Sequence, residues 1–507
     1  MKTKLNLILI YISRFYMAIV SIILVPFFLN TLGTEAYGLI GVFVVLQACL
    51  QVLDAGIGGV MTRQCILTKN DAESFDGFSE LFKKLFLIFF LVGFLISIFG
   101  YLFSDYLAVN WLDTTLDMSL TSNCIALMFV IFSFRYLQGP FRSILLANEK
   151  HILLSVIDIV FVTISNPLAL VYVYYADDKI ISYFLFQTVS SAFRLVVLGC
   201  FSSFLLVNTR KFLLNNTRNV VDVVKSDFSS IIKFGFQLSF ISILWVLVTQ
   251  TDKLTLTSVM PLSDYAFYTL AISVVSVVNI FSSPINQFLQ PRLTSLYAAK
   301  DFSGYTRVFE NSFLYLSIFL IPACFIVFYF GNNFISIWLG SEHKADVVMS
   351  YVPLLFTGAV LTVLSNFCFL LLFSHGRLKW HTIFYTFFSI IVIVFNIYIA
   401  KEYKANGIVV FYFFSCLFLF LFWANLNFFK YFNRFHIVFF YKLIPSILIS
   451  YLFFYVANFF RFKRLYLDVY LALGTSVLCV LVLYLWCFKF IPNIFQGRLR
   501  ISYRNIG

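Results

Sequence analysis

The sequence predicts an all-α polytopic membrane protein with about fourteen transmembrane helices. Three features carry this prediction: the composition, the recurrence of apolar runs, and an internal repeat. Of the 507 residues, 61% are hydrophobic and only 12% are charged, and a water-soluble protein of this length could not bury so much apolar surface. Apolar runs of about 20 residues recur along the chain, which is the length needed to cross a hydrocarbon core of about 30 Å.

The predicted spans follow these apolar runs in order. The first span carries Arg14 and Pro26 and is followed by no small-residue cleavage site, so we interpret it as a retained helix rather than a signal peptide. The predicted spans are about 6–29, 38–60, 85–104, 119–139, 152–175, 182–207, 235–258, 266–289, 310–331, 348–373, 380–400, 407–428, 438–459 and 467–488.

The distribution of basic residues indicates the orientation. With the N-terminus inside, the cytoplasmic segments hold about three times as many Lys and Arg residues as the outside loops, which favours two cytoplasmic termini. The outside cluster of Arg461, Lys463 and Arg464 is the exception. Most of the net charge of +13 is this topological signal, so no nucleic-acid partner is expected. The longest polar connections, about 61–84, 208–234 and 290–309, all fall on the cytoplasmic side, and no soluble domain is expected.

Short segments recur at an offset of about 225 residues, which indicates an internal repeat. Residues 34–37 (TEAY) correspond to 262–265 (LSDY), and residues 147–151 (ANEKH) correspond to 374–377 (SHGR). The repeat predicts two six-helix bundles, residues 1–228 and 229–430, related by a pseudo-two-fold axis along the membrane normal. Two additional helices and a cytoplasmic tail, residues 431–507, would follow. Repeats of this kind are typical of transporters, with the substrate path between the halves.

Four basic residues lie inside apolar runs: Arg14, Arg135, Arg194 and Lys442. A charge at the centre of a span costs about 2.5–3.5 kcal/mol, so such residues usually face a wet or protein-lined interior and mark a pathway or site. Cations in these positions favour an anionic ligand. Lys442 is near the start of its span, and we expect its side chain to snorkel to the membrane surface.

Other polar residues of the spans align on helix faces. Arg135, Gln138 and Arg142 are spaced i, i+3, i+7, and Gln187, Ser191 and Arg194 are spaced i, i+4, i+7. The neutral residues could instead join helices by hydrogen bonds worth about 0.6 kcal/mol each, and Arg142 and Arg292 could be ordinary cations at inside ends. The eighth span carries a neutral stripe that includes Asn279, Ser283, Asn286 and Gln287.

Acidic residues in or beside the spans have two interpretations. Asp54, Asp158 and Asp252, the last followed by Lys253, could take up a proton or a sodium ion during transport. They could equally form buried ion pairs that fix packing, such as Asp54 with Arg14 or Arg135. The nine cysteines show no metal-type spacing, so no metal site is expected.

Several motifs resemble a known family. Residues 32–38 (LGTEAYG), followed by 53–58 (LDAGIG), resemble the opening of polysaccharide transporters of the O-antigen flippase (Wzx) type. Residues 252–254 (DKL) and 337–340 (IWLG) are also similar. The resemblance implies membership of the multidrug/oligosaccharidyl-lipid/polysaccharide exporter superfamily. It implies a flippase that moves an oligosaccharide repeat unit on undecaprenyl pyrophosphate from the cytoplasmic to the periplasmic leaflet of a bacterial inner membrane.

The resemblance, taken with the polar stripes, leads to a provisional site. Guanidinium groups match phosphate geometry through paired N–H donors, so the arginines are assigned to the anionic head group and the neutral stripe to sugar hydroxyls. The assigned substrate-binding residues are Arg14, Arg135, Arg142, Arg194, Arg292, Asn279, Ser283, Asn286 and Gln287, and the ion-coupling candidates are Asp54, Asp158, Asp252 and Lys253.

Beyond H⁺ or Na⁺ coupling, which the resemblance suggests, no cofactor and no enzymatic activity are expected. The expected partners are the lipid-linked oligosaccharide and membrane lipid, with a polysaccharide polymerase and a chain-length regulator as further candidates. Two alternative functions remain. A cation-coupled multidrug antiporter of the same superfamily would need acidic cavity residues and usually has fewer spans. A membrane-embedded glycan polymerase would need a large outside loop, which the span assignment does not provide.

Overall fold

The computed structural model describes residues 2–54, 61–62, 64–66, 68, 72–215, 228–433, 435, 438–462, 464–490 and 502–503. Within these residues the chain is almost entirely helical, and the only strands are two residues long. Eleven helices of this part are long and apolar enough to span a membrane, and a shorter apolar helix covers Thr34–Ala48. The predicted all-α, multi-pass membrane fold is confirmed.

The helices of the first part of the chain match the predicted spans. Residues 55–60, the end of the second predicted span and most of the LDAGIG motif, lie outside the described residues. The helices are α1 Lys2–Leu32, α2 Thr34–Asp54, α3 Ala72–Asn110, α4 Met118–Ala147, α5 His151–Thr163, α6 Ala169–Tyr175, α7 Lys179–Asn215 and α8 Phe228–Val259.

A π-helical turn, Ile164–Leu168, joins α5 to α6 within one predicted span. Pro167 lies in this turn, and proline has no N–H to donate to the preceding turn of the helix. The side-chain amide of Asn166 supplies a donor nearby, because its Nδ2 donates to the carbonyl oxygen of Val162 at 3.0 Å. The sequence thus allows a widened turn in the membrane without leaving that carbonyl unsatisfied.

The second part of the chain continues with long helices. It also contains two short strands, 432–433 and 502–503, which pair antiparallel with Phe432 opposite Tyr503 and Asn433 opposite Ser502. The elements are α9 Leu262–Ala298, α10 Phe302–Leu339, α11 Glu342–Met349, α12 Val352–Ser374, α13 Lys379–Phe418, α14 Asn425–Tyr431, α15 Ile444–Phe459, α16 Leu465–Leu485, the π-helical segments Leu419–Ala424, Val438–Leu443 and Trp486–Phe490, and the strands β1 Phe432–Asn433 and β2 Ser502–Tyr503.

One continuous segment, Lys379–Tyr431, contains two predicted spans, 380–400 and 407–428. The helix is interrupted at Lys404, whose φ of 51° and ψ of −144° are not helical. Gly407 follows this break and lies close to the side chain of Tyr403: a Cβ added at position 407 would be 2.4 Å from the Cβ of Tyr403. The backbone break separates the two spans, and glycine allows the chain to pack closely beside it.

The predicted polar connection 290–309 is mostly helical. α9 extends to Ala298 and α10 begins at Phe302, so only a short turn separates two helices of 37 and 38 residues. Asp301 caps α10, since its carboxylate accepts from the backbone N–H of Gly304 at 2.8 Å. Its polar residues lie mainly on helical extensions beyond the apolar runs.

A polar contact ties the start of α2 to the connection between α3 and α4. The carboxylate of Glu35 accepts from the hydroxyl groups of Thr114 at 2.7 Å and Thr115 at 2.6 Å. Burial alone would raise the pKa of Glu35, but these donors outweigh it and hold the pKa below its usual value. Glu35, part of the LGTEAYG motif, therefore has a structural role.

The same motif makes a close backbone approach. Gly38 faces Leu262, and an added Cβ would lie 2.2 Å from the carbonyl oxygen of Leu262. The backbone N–H of Leu262 donates in turn to the carbonyl of Asp113 at 2.9 Å. A side chain at position 38 would push these segments apart.

The chain forms two compact units. One comprises Met1–Ala266 with Ser389–Ile397, and the other comprises Phe267–Phe388 with Tyr398–Gly507. The predicted repeat, with bundles at 1–228 and 229–430, stays a prediction.

Candidate anion-binding site

Three helices of the first unit contribute the polar residues of the site. Arg135 and Arg142 are two turns apart on α4, and Gln187 and Arg194 are two turns apart on α7, so each pair lies on one face of its helix. α4 packs against α7 and also contacts α5, which supplies Asp158. Of the predicted substrate-binding arginines, Arg142 and Arg194 share Asp158, and Arg135 lies two turns away on the same interface between α4 and α7.

Asp158 lies between two of these arginines. Arg142 donates to both carboxylate oxygens, with Nη1–Oδ1 at 2.8 Å and Nη2–Oδ2 at 3.2 Å. Arg194 donates to Oδ1 through its Nη2. One carboxylate thus binds two guanidinium groups from two different helices. Charge-assisted contacts of this kind are the strongest hydrogen bonds in proteins.

Arg135 has neutral partners. Its Nη2 donates to Oε1 of Gln187 at 3.1 Å, and its Nε donates to the hydroxyl of Ser191 at 3.3 Å. Its guanidinium carbon also lies 5.4 Å from the centroid of the Phe43 ring of α2, within the range of a cation–π interaction. Arg135 is therefore oriented without a carboxylate, and its positive charge is not neutralised by these contacts.

Gln187 extends the network to the π-helical turn. Its Nε2 donates to the carbonyl oxygen of Ser165 at 2.6 Å, while its Oε1 accepts from Arg135. Gln138 of α4 donates to the backbone carbonyl of Ser191 at 3.1 Å. The predicted polar stripes thus include interhelical hydrogen bonds, as the alternative interpretation expected for neutral residues, and these bonds fix the arginines in place.

The site carries an excess of positive charge. Arg135 and Arg194 are close enough to repel each other electrostatically, and Asp158 is the carboxylate that forms ion pairs with these arginines among the described residues. In addition, the Nε atom of Arg194 is buried and has no hydrogen-bond partner among the described residues. Three cations and one anion at this helix interface would be stabilised by a further anion with several oxygen acceptors. Phosphate has this chemistry.

Arg14 is not joined to this network. It lies exposed on α1 and forms no ion pair with any described carboxylate. α1 nevertheless packs along α5, and the hydroxyl groups of Tyr16 and Thr163 hydrogen-bond at 2.7 Å.

Asp252, another acidic candidate, lies on a different helix. Asp252 and Lys253, on α8, are neighbours in the sequence and form an ion pair with an Nζ–Oδ1 distance of 3.3 Å. Lys253 also donates to the backbone carbonyl of Thr249. The side chain of Asp54 lies outside the described residues, so its predicted pairing with Arg14 or Arg135 stays a prediction.

The predicted neutral stripe is on α9, in the second unit. Asn279 and Gln287 are exposed, Ser283 and Asn286 are half-buried, and Oδ1 of Asn286 is buried without a described partner. Farther along the helix Arg292 is exposed. The next turns of the helix border an open cavity of about 450 Å³ whose accessible surface is almost entirely apolar, lined by Gln290, Pro291, Thr294, Ser295, Ala298 and Phe373. The oxygen and nitrogen atoms of the stripe are suited to polar, uncharged groups.

The expectation that Lys442 snorkels is wrong. Its side chain is buried, and its Nζ donates to the carboxylate of Glu310, which is also buried. The sequence interpretation missed Glu310 because it placed the start of that span at residue 310. Tyr305, Phe309 and Phe313 repeat at helical spacing, and following this pattern back to Phe302 would have put Glu310 inside the helix.

Comparison of the sequence with models of known protein families shows which family the chain belongs to. A family model described as "Polysaccharide biosynthesis protein" matches residues 4–297. The chain belongs to this family. The predicted resemblance is confirmed at this level. A search of curated proteins gave no match.

Solved structures share the fold of this polysaccharide biosynthesis protein. The lipid II flippase MurJ in an inward closed conformation has a TM-score of 0.68 at 13% identity, covering 94% of this chain and 99% of that chain. An inward-facing multidrug resistance MATE family transporter of the MOP superfamily has a TM-score of 0.60 at 13% identity, covering 82% and 98%. A MOP superfamily transporter from Pyrococcus furiosus has a TM-score of 0.57 at 15% identity, covering 83% and 95%.

The family match includes every residue of the arginine network. Arg135, Arg142, Asp158 and Arg194 all lie within residues 4–297, as does the neutral stripe of α9. The buried pair of Glu310 and Lys442 lies beyond the match.

Proposed function

We propose that this protein is a flippase for lipid-linked oligosaccharides. Its substrate would be an oligosaccharide repeat unit on undecaprenyl pyrophosphate, as in O-antigen or a related surface polysaccharide. Transport would run by alternating access from the cytoplasmic to the periplasmic leaflet of a bacterial inner membrane, with both termini cytoplasmic.

The arginine network supports this proposal most directly. A pyrophosphate group cannot cross hydrocarbon without compensation of its charge, and Arg135, Arg142 and Arg194 provide that compensation from two helices. Guanidinium groups bind phosphate oxygens through paired donors. The neutral stripe of α9 would bind sugar hydroxyls, and the polyprenyl chain would stay in lipid.

The remaining assignments complete the proposal. A proton or sodium ion would drive transport, with Asp54, Asp158, Asp252 and Lys253 as the candidates for coupling. A polymerase and a chain-length regulator would use the exported unit. A cation antiporter is disfavoured because three arginines and one carboxylate form a site that repels cations.

The test uses a strain that lacks the gene. Deletion should abolish the surface polysaccharide and accumulate a lipid-linked saccharide on the cytoplasmic leaflet, and the wild-type chain should restore export. Arg135→Ala and Arg194→Ala should fail to restore it at normal membrane abundance, while the Lys variants should restore it partly because they keep the charge.

A matched control is available on the same helix as Arg194. Arg210 of α7 forms an exposed ion pair with Asp76, with Nε–Oδ1 at 2.7 Å, so Arg210→Ala removes an arginine from α7 without touching the network. It should restore export fully. Normal export by the Arg135 and Arg194 alanine variants would remove the network from the proposed site.

A further inference from the structure

We propose that Asp158 is a tethered competitor of the anionic substrate. Its carboxylate occupies Arg142 and Arg194 when no substrate is bound, and a phosphate group of the substrate displaces it. This inference rests on the proposed function and adds to it how the site binds and releases its ligand.

The donors that hold Asp158 are the ones a phosphate would use. Arg142 presents two N–H groups side by side to the carboxylate oxygens, at 2.8 and 3.2 Å, and Arg194 donates to one of the same oxygens. Phosphate accepts paired guanidinium donors in the same way as carboxylate. Substrate and Asp158 therefore cannot both bind these groups fully.

The carboxylate leaves part of the site unsatisfied. Asp158 offers two oxygens, which already receive three contacts, and the buried Nε of Arg194 has no described partner. A pyrophosphate group has more terminal oxygens and more charge. It can bind the donors that Asp158 uses and add negative charge near Arg135, which has only neutral partners.

Displacing Asp158 from the arginines costs free energy, and this cost favours release of the substrate. Once displaced, Asp158 is a carboxylate with only 16% of its side chain exposed that has lost both of its ion-pair partners. The cost is subtracted from the affinity for the substrate. The site therefore holds the anion only weakly, as a transporter that must release its ligand requires.

The experiment measures binding of inorganic pyrophosphate to the purified full-length protein in nanodiscs by calorimetric titration. Asp158→Asn keeps the shape of the side chain and removes its charge. If the carboxylate occupies the arginines about nine-tenths of the time, the variant should bind about tenfold more tightly than wild type. Asp178→Asn, an exposed residue between α6 and α7, should bind as wild type does, and Arg194→Ala should lose binding.

A second measurement needs no substitution. A carbodiimide should modify Asp158 of the wild-type protein more rapidly when pyrophosphate is present, because the carboxylate has left its partners, and mass spectrometry quantifies the product. Protection of Asp158 by pyrophosphate would overturn the inference.

The outcomes separate this inference from the proposed function. Equal or weaker binding by Asp158→Asn, with binding by wild type and none by Arg194→Ala, would overturn the competitor role and leave the anion site intact. An absence of binding by every form, together with normal export by Arg194→Ala, would overturn both.

Discussion

Removing one partner of the buried pair between Glu310 and Lys442 should strongly destabilise the second unit. Lys442 is 6% exposed and Glu310 is 9% exposed, so whichever charge remains is almost fully buried. Leaving such a charge without its partner costs about 3–5 kcal/mol. Glu310→Gln and Lys442→Met nearly conserve volume, so this cost should dominate over any packing defect and lower the melting temperature by several degrees.

The double variant and a surface pair sharpen the test. Glu310→Gln with Lys442→Met removes both charges, and it should recover most of the stability lost in the single variants. Asp76→Asn breaks the exposed pair with Arg210 and should change stability by no more than about 1 kcal/mol. Melting in detergent, followed by intrinsic fluorescence, compares these four variants with wild type. Single variants as stable as wild type would refute the buried ion pair and restore the snorkelling interpretation.

Two further predictions concern other sites. Burial lowers the pKa of His375, at the end of α12, to about 4, so the unfolded chain binds its proton near pH 6.5 before the folded protein does. Stability should therefore fall by up to about 3 kcal/mol as the pH drops from 6.5 to 4, and His375→Gln should flatten this dependence in melting curves recorded across that range; an unchanged slope would contradict the burial argument. Gly38→Ala should reduce melting temperature and membrane abundance, because its Cβ would lie 2.2 Å from the carbonyl oxygen of Leu262. The control Gly77→Ala meets no atom within 4 Å and should be neutral or stabilising; equal effects of the two would rule out the close contact.

The helices, and the helix faces on which Arg135, Arg142 and Arg194 lie, could be predicted because the sequence signals for both are local. Apolar runs of membrane length stand out in any part of the chain. The spacing of Arg135 and Arg142 on one helix, and of Gln187 and Arg194 on another, places each pair on one face without any knowledge of the fold.

The partners of these residues could not be predicted in the same way. Asp158 is on a third helix, and nothing in its own neighbourhood shows that it binds Arg142 and Arg194 rather than a distant cation. The pairing of Glu310 with Lys442 joins residues far apart in the sequence. Such contacts depend on how helices pack, which short-range periodicity does not specify. The start of α10 was misplaced because polar residues also occur in helical extensions beyond the apolar run.

Transbilayer movement of the lipid-linked saccharide tests the central claim most directly. Purified wild type, Arg194→Ala and Arg210→Ala would be reconstituted in vesicles that contain a labelled polyprenyl-diphosphate oligosaccharide, and the fraction reached by an external glycosidase would be followed over time. We expect wild type and Arg210→Ala to move the labelled lipid between leaflets and Arg194→Ala to leave it in place. Equal movement by all three proteins, or movement of the lipid monophosphate as fast as the diphosphate, would contradict an arginine site for the pyrophosphate group.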